Sequence, residues 1–342
     1  MRRNLILGFM TIALIFVTTN FTYAATPVVS TTNLLWHIDP ADPASYPGSG
    51  NYLYDLGPSS PDTMTFSTTP TFNSGNGGYL SLSGASSTGK IDSTTSTPIP
   101  AKDFTVLMWI NPTSITAEQY LFTINRYGAT NESVFEISNS KLYYWDFGTS
   151  YGFQFTDTCT ITANTWMYVG FSRKDNSGTS TGTFYVNGNT CASTTATSIP
   201  TSSTHPDLAL GRDPRDSSRY FAGGIGPASL YGSALTQAQI QQNMANTLIR
   251  NVSLTTSSPI KKLRNVTLTS SLTGFGDGLV TFYYQNRRIN RCGSLQTSSK
   301  TVSCTWVPII QGQQTISAKV SLIGTAVESS VFRNFNLVVL KR

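Results

Sequence analysis

Three observations predict an all-β protein built as two sandwich modules, the first closed by a single short helix. Short apolar or alternating runs recur along the 342 residues, each bounded by Gly, Pro, Asn and Ser clusters, the pattern of strands and their turns. Thr236 to Leu248 instead follows a helical period. The charge changes sign near residue 250: residues 25–249 hold 9 Lys and Arg against 15 Asp and Glu, whereas residues 250–342 hold 12 against 2.

The N-terminus is set apart from both modules. Arg2 and Arg3 precede the apolar run Leu5 to Val17, and Thr22-Tyr23-Ala24 carries small residues at the −3 and −1 positions, so residues 1–24 are expected to be a signal peptide cleaved after Ala24. The run is 13 residues long, short of the ~20 that span a bilayer, and no second run of spanning length follows. A protein secreted or held on the extracellular surface is expected, with no transmembrane anchor after cleavage. Export makes disulfides plausible for Cys159, Cys191, Cys292 and Cys304. Four cysteines permit three connectivities, and the sequence-local pairs Cys159 with Cys191 and Cys292 with Cys304 are favoured over buried free thiols. Zinc is not expected, since there is no Cys-x-x-Cys and the only histidines are His37 and His205.

In the first module, expected at 27–249, Leu34 to Ile38 is the first strand and Tyr79 to Ser83 alternates so that one face is buried. Phe104, Val106, Met108 and Ile110 share one face of the next strand while Leu107 and Trp109 share the other; a strand apolar on both faces belongs in the middle of a sandwich. Trp166 to Phe171 and Thr183 to Val186 follow, with Asp175 to Gly178 between them and Asn187-Gly188 after, both turn chemistry. Thr236 caps the helix and Gln239 completes a capping box, with Ile240, Met244 and Leu248 as its apolar stripe. The second module, expected at 251–342, carries strand signals at Val266 to Thr269, Gly278 to Tyr283, Gly312 to Ala318 and Leu337 to Val339. Six or seven such signals in about 90 residues argue for an immunoglobulin-type sandwich.

Several stretches carry a family resemblance: Ile38 to Gly50, Tyr54-Asp55-Leu56, Pro70 to Ser74 with Gly77 to Leu80, Phe104 to Ile110, the Trp166 strand, Tyr185 to Gly188, Leu208 to Gly211, and Phe221 to Tyr231 leading into the helix. In that order they resemble laminin G-like domains of the concanavalin A-type jelly roll, as found in bacterial and viral surface proteins. Gly57-Pro58-Ser59-Ser60-Pro61 departs from the Ser-Gly-Asn-Gly turn of many relatives. The second module more loosely resembles bacterial Ig-like domains, from which the Cys292/Cys304 pair and the hairpin Arg287-Arg288-Ile289-Asn290-Arg291 depart. The fold so implied is a concanavalin A-like jelly roll with one C-terminal helix, then a smaller Ig-like sandwich. No cofactor is expected. Calcium is common among laminin G-like and pentraxin relatives, and Asp39, Asp42 and Asp55 offer hard oxygens near the first strand, but their spacing is not diagnostic and no metal is assigned.

Related jelly rolls include β-glucanases that use paired glutamates. Glu132 and Glu136 stand four residues apart, ~13 Å along a strand, beyond the separations that retaining or inverting glycosidases use, so both are read as strand-surface charges. No nucleophile elbow is present, and His37 is read as packed and His205 as exposed. No enzyme is expected.

Binding leaves fainter traces. Tyr143, Trp145 and Phe147 share one face of a strand; exposed, they would stack on sugar rings, and buried, the reading residue statistics favour, they would be core. Arg212, Asp213, Arg215, Asp216 and Arg219 form a loop able to grip a carboxylate or sulfate, or to pair with itself. Lys261, Lys262 and Arg264, with Arg287, Arg288 and Arg291, form a generic anion patch suited to an anionic polymer or surface, without the aromatic interleaving of a nucleic-acid motif. An equal alternative for this charge asymmetry is docking of the two modules against each other. The expected function is recognition or adhesion, with a glycan or other extracellular ligand on the jelly roll and the basic module as stalk or anchor. A structural subunit of an appendage, matrix or virion surface is the alternative, and a carbohydrate-active enzyme the third.

Overall fold

The structure, a computed structural model, describes residues 30–58, 63–84, 89–91, 103–126, 132–146, 153–196, 206–212, 219–257, 259–324 and 327–341. The expected signal peptide, Phe147, His205 and the loop residues Asp213, Arg215 and Asp216 lie outside them.

Two eight-stranded antiparallel sheets form the first module. The first sheet runs Asn189–Ala196, Ser180–Val186, Met167–Asp175, Phe104–Pro112, Ala222–Tyr231, Tyr79–Ser83, Thr71–Asn73, with Leu34–Ile38 also paired to Ala222–Tyr231. The second runs Phe153–Thr160, Lys141–Asp146, Glu132–Ser138, Gln119–Arg126, Pro206–Leu210, Gly89–Ile91, Thr63–Phe66, Tyr52–Tyr54. Their facing residues make one core, including Trp36, Phe104, Val106, Met108, Phe122, Phe135, Tyr144 and Phe171. This is the expected jelly-roll sandwich.

Phe104–Pro112 lies between two partners, Met167–Asp175 and Ala222–Tyr231, as its two apolar faces require. Its even-numbered face enters the sandwich core, and Leu107 with Trp109 enters a second core on the far side of the first sheet. Asn187 and Gly188 adopt φ of 50° and 75°, the left-handed turn that joins Ser180–Val186 to Asn189–Ala196. The helix Gln237–Leu248 has the expected cap: the Thr236 side chain accepts from the Gln239 N–H, and the Thr236 N–H donates to Gln239 Oε1 at 2.8 Å.

With no intervening linker, Ile249–Thr256 follows the helix and opens a three-stranded sheet, ordered Ile249–Thr256, Val266–Gly274, Thr301–Trp306. A five-stranded sheet ordered Arg287–Arg288, Leu279–Tyr284, Gly312–Ser321, Glu328–Val339, with Leu295–Gln296 on Leu279–Tyr284, faces it. Val252, Leu268 and Leu272 from one sheet meet Val280, Phe282, Ile316 and Val320 from the other.

That core does not stop at the module. It runs continuously through Leu248, Ile240 and Phe275 to Leu107, Trp109, Tyr168 and Tyr231 on the outer face of the first jelly-roll sheet. Phe275 stacks on Trp109, ring centroids 5.0 Å apart, and meets Trp166 edge-on at 4.7 Å. Gly226 makes room for it: a Cβ there would come within 2.7 Å of the Phe275 ring and 2.9 Å of Trp109 Cβ. At the same seam Arg250 donates twice to Asp39, and the Lys300 ammonium donates to Asn76 Oδ1 and to the Gly274 carbonyl. Docking of the modules, one of the two readings of the charge asymmetry, is therefore built in apolar contact as well as in an ion pair and charged hydrogen bonds.

Disulfides join Cys159 to Cys191 and Cys292 to Cys304, with Cα atoms 5.5 and 5.6 Å apart. The first links the edge strand of one jelly-roll sheet to the edge strand of the other; the second ties the basic hairpin to Thr301–Trp306. Among the described residues no helix is long and apolar enough to cross a membrane.

Candidate functional site

The described ligand candidates Tyr143, Trp145 and Arg219 come together on the outer face of the second jelly-roll sheet with Glu118 and Tyr120, which the sequence did not single out, and with Glu136, read there as a strand-surface charge. Strand alternation puts Leu142 and Tyr144 into the sandwich and turns Tyr143 and Trp145 outward, where both are half-buried. Across the sheet Tyr143 pairs with Glu136, and Glu136 pairs with Tyr120. Val134 and Glu136 face outward while Phe135 and Ile137 point into the core, and the outward pair is buried all the same: Glu136 is 1% exposed.

Glu136 thus corrects the reading of it as a strand-surface charge. The face was legible from alternation, but whether that face is covered depends on segments distant in sequence. The Trp145 indole N–H donates to Glu136 Oε1 at 2.6 Å. Burial pushes the Glu136 carboxyl up to about 8; the Trp145 hydrogen bond opposes this, and the neighbouring Glu118 adds to the rise. Its other oxygen, Oε2, is buried with no hydrogen-bond partner around it, an environment that a neutral carboxyl tolerates better than a carboxylate.

Arg219 completes the cluster. Its Nε lies 3.1 Å from Glu118 Oε1, its Nη1 donates to the Tyr120 hydroxyl at 2.9 Å, and its guanidinium sits 5.5 Å from the Tyr120 ring centroid. These contacts reach across to the start of the neighbouring strand. Arg212 is placed beside the same sheet, its carbonyl accepting from Thr123 Oγ1 at 3.0 Å. Glu118 and Tyr120 were missed, and Glu136 misread, because the signal that unites them is cross-strand register, which a linear pattern does not carry.

The other candidates are dispersed. Asp39 is committed to Arg250 and to the Ala41 N–H, Asp55 Oδ1 accepts the N–H groups of His37 and Gly57, and Asp42 accepts that of Ala44. Among the described residues no group of three or more His, Cys, Asp and Glu is placed to hold a metal. His37 is packed, its Nδ1 between the Ala228 carbonyl and Ser229 Oγ, and burial lowers its pKa. Lys261, Arg264, Arg287, Arg288 and Arg291 are exposed and Lys262 is half-buried, all on the second module.

A lectin-type sandwich with a polar, aromatic outer sheet is the class that fold and site define. The chain belongs to the concanavalin A-like lectin/glucanases superfamily, whose laminin G-type model matches residues 68–241. A search of curated proteins finds no match. Among solved structures it is similar to domain 4 of AbnA, an extracellular arabinanase from Geobacillus stearothermophilus in complex with arabinotriose, at 19% identity and TM-score 0.47 over 62% of this chain and 98% of that one. It is also similar to the sialidase CBM40 of Ruminococcus gnavus bound to sialyllactose, at 13% identity and TM-score 0.40 over 48% and 94%. The botulinum neurotoxin serotype G binding domain aligns at 13% identity and TM-score 0.47 over 85% of this chain and 74% of that one.

Proposed function

We propose that this is an exported, non-enzymatic recognition protein that binds a glycan on the outer face of the second jelly-roll sheet, with the basic module as its stalk or anchor. The observation that supports it best is Trp145, half-exposed and held in place by its hydrogen bond to the buried Glu136. A fixed indole offers a flat apolar platform to a sugar ring, and Tyr143 and Arg219 supply hydroxyl and guanidinium donors at its side. The two disulfides fit an oxidising compartment. The second module is read as an Ig-type sandwich, a reading supported by its strand order, first, second and sixth strands on one sheet and the third, seventh and eighth, with two two-residue strands, on the other.

The test is a glycan array on the mature chain, with and without calcium, followed by titration of the best hit against Trp145→Ala and Arg219→Ala. Saturable binding weakened at least about tenfold in Trp145→Ala is the expected result, since loss of one stacking contact removes on the order of 1–3 kcal/mol. Silence on the array, with concentration-dependent assembly of the chain instead, would replace this reading with a structural subunit.

A further inference from the structure

The second module ends, at the pole away from the jelly roll, in an exposed aliphatic tip with a basic collar. Its strand Val266–Gly274 spans nine residues, about 26 Å, with Gly274 at the seam beside Leu248 and Val266 at the other end, paired with Trp306. Three segments meet beyond Val266. Leu263 N–H donates to the Pro308 carbonyl at 2.8 Å, Lys262 N–H to the Leu340 carbonyl at 3.0 Å, and Leu340 N–H to the Ile260 carbonyl at 2.9 Å. These backbone bonds fix the segments together while their side chains stay in water: Ile309 is 60% exposed, Leu263 50%, Leu340 48% and Ile310 43%. Lys261, Lys262, Arg264 and Lys341 flank them.

We propose that this tip docks on an anionic lipid surface, the aliphatic side chains entering the headgroup boundary and the basic residues meeting lipid phosphates. The inference rests on the anchoring role given to the second module and names what it anchors to. Composition selects the occupant. A glycan would be met by aromatic faces, and the only Trp of this module, Trp306, is buried. Protein interfaces favour aromatic residues and Met and are depleted of Lys, the reverse of this tip. Aliphatic side chains ringed by Lys and Arg suit the lipid interface, and 12 basic against 2 acidic residues from 250 onward supply the long-range attraction. Docked this way, the jelly roll projects away from the surface with its outer sheet free.

Co-sedimentation of the full chain with phosphatidylglycerol/phosphatidylcholine vesicles, against pure phosphatidylcholine, tests this. Binding only to the anionic vesicles is expected, with a blue-shifted emission when Ile309→Trp inserts. At about fivefold per basic residue, the Lys261→Gln/Lys262→Gln/Arg264→Gln variant should lose on the order of 100-fold. Ile309→Ser/Ile310→Ser should lose about tenfold or more while keeping its charge. These are exposed positions, and unchanged circular dichroism would confirm folding. Vesicle binding indifferent to Ile309→Ser/Ile310→Ser would overturn the proposal. So would absent vesicle binding: with retention on heparin it leaves an anchor to acidic polysaccharide standing, and without retention the anchoring role fails too. Self-association abolished by Ile309→Ser/Ile310→Ser, with no vesicle binding, would reassign the tip to a second copy of the chain.

Discussion

Arg250 and Asp39, 211 residues apart, form a two-point ion pair at 2.5 and 2.7 Å with side chains only 7% and 0% exposed. The pair joins the first strand after the helix to the loop after Leu34–Ile38, and Gly77 keeps space for the Arg250 stem, which a Cβ there would strike.

Breaking this pair on one side leaves a buried charge unmatched. Arg250→Met or Asp39→Asn should each destabilise the protein by about 3–5 kcal/mol, while the double replacement Asp39→Leu/Arg250→Met should recover much of that loss. Urea denaturation of the three variants measures it; additive losses in the double variant would contradict the coupling.

Because one apolar core passes from the jelly roll into the second module, heating should unfold both in one transition. Gly226→Ala, which pushes a Cβ into Phe275 and Trp109, should cost about 1–3 kcal/mol, and Phe275→Ala about 3–5. Calorimetry decides: a single peak that moves as a whole is expected, and two peaks in the wild type would mean that the seam does not couple the modules.

Glu136 gives the protein a pH dependence with a definite sign. Its folded value of about 8 lies above the ordinary 4.5, so its contribution is fully present below 4.5 and is lost as pH rises through 8. Burial lowers His37, which acts oppositely, costing stability as pH falls below 6.5. The difference between wild type and Glu136→Gln isolates the carboxyl: the variant should gain relative stability steadily from pH 5 to 8.5. Parallel melting curves across that range would show that Glu136 is not held neutral by the fold.

Alternation and turn chemistry in the sequence determined the strands, the two-faced central strand and the capped helix, because each depends on neighbours within a few residues. Only the tertiary structure decided the rest. Glu136 became a buried, proton-holding carboxyl because register set it beside Tyr143 and Tyr120 and brought Glu118 and Trp145 to it. Asp39, a calcium candidate by residue type, became the partner of Arg250 because chain packing spent its oxygens first. Burial and pairing across hundreds of residues are properties of packing, and a linear pattern encodes which face a side chain takes but not what comes to cover it.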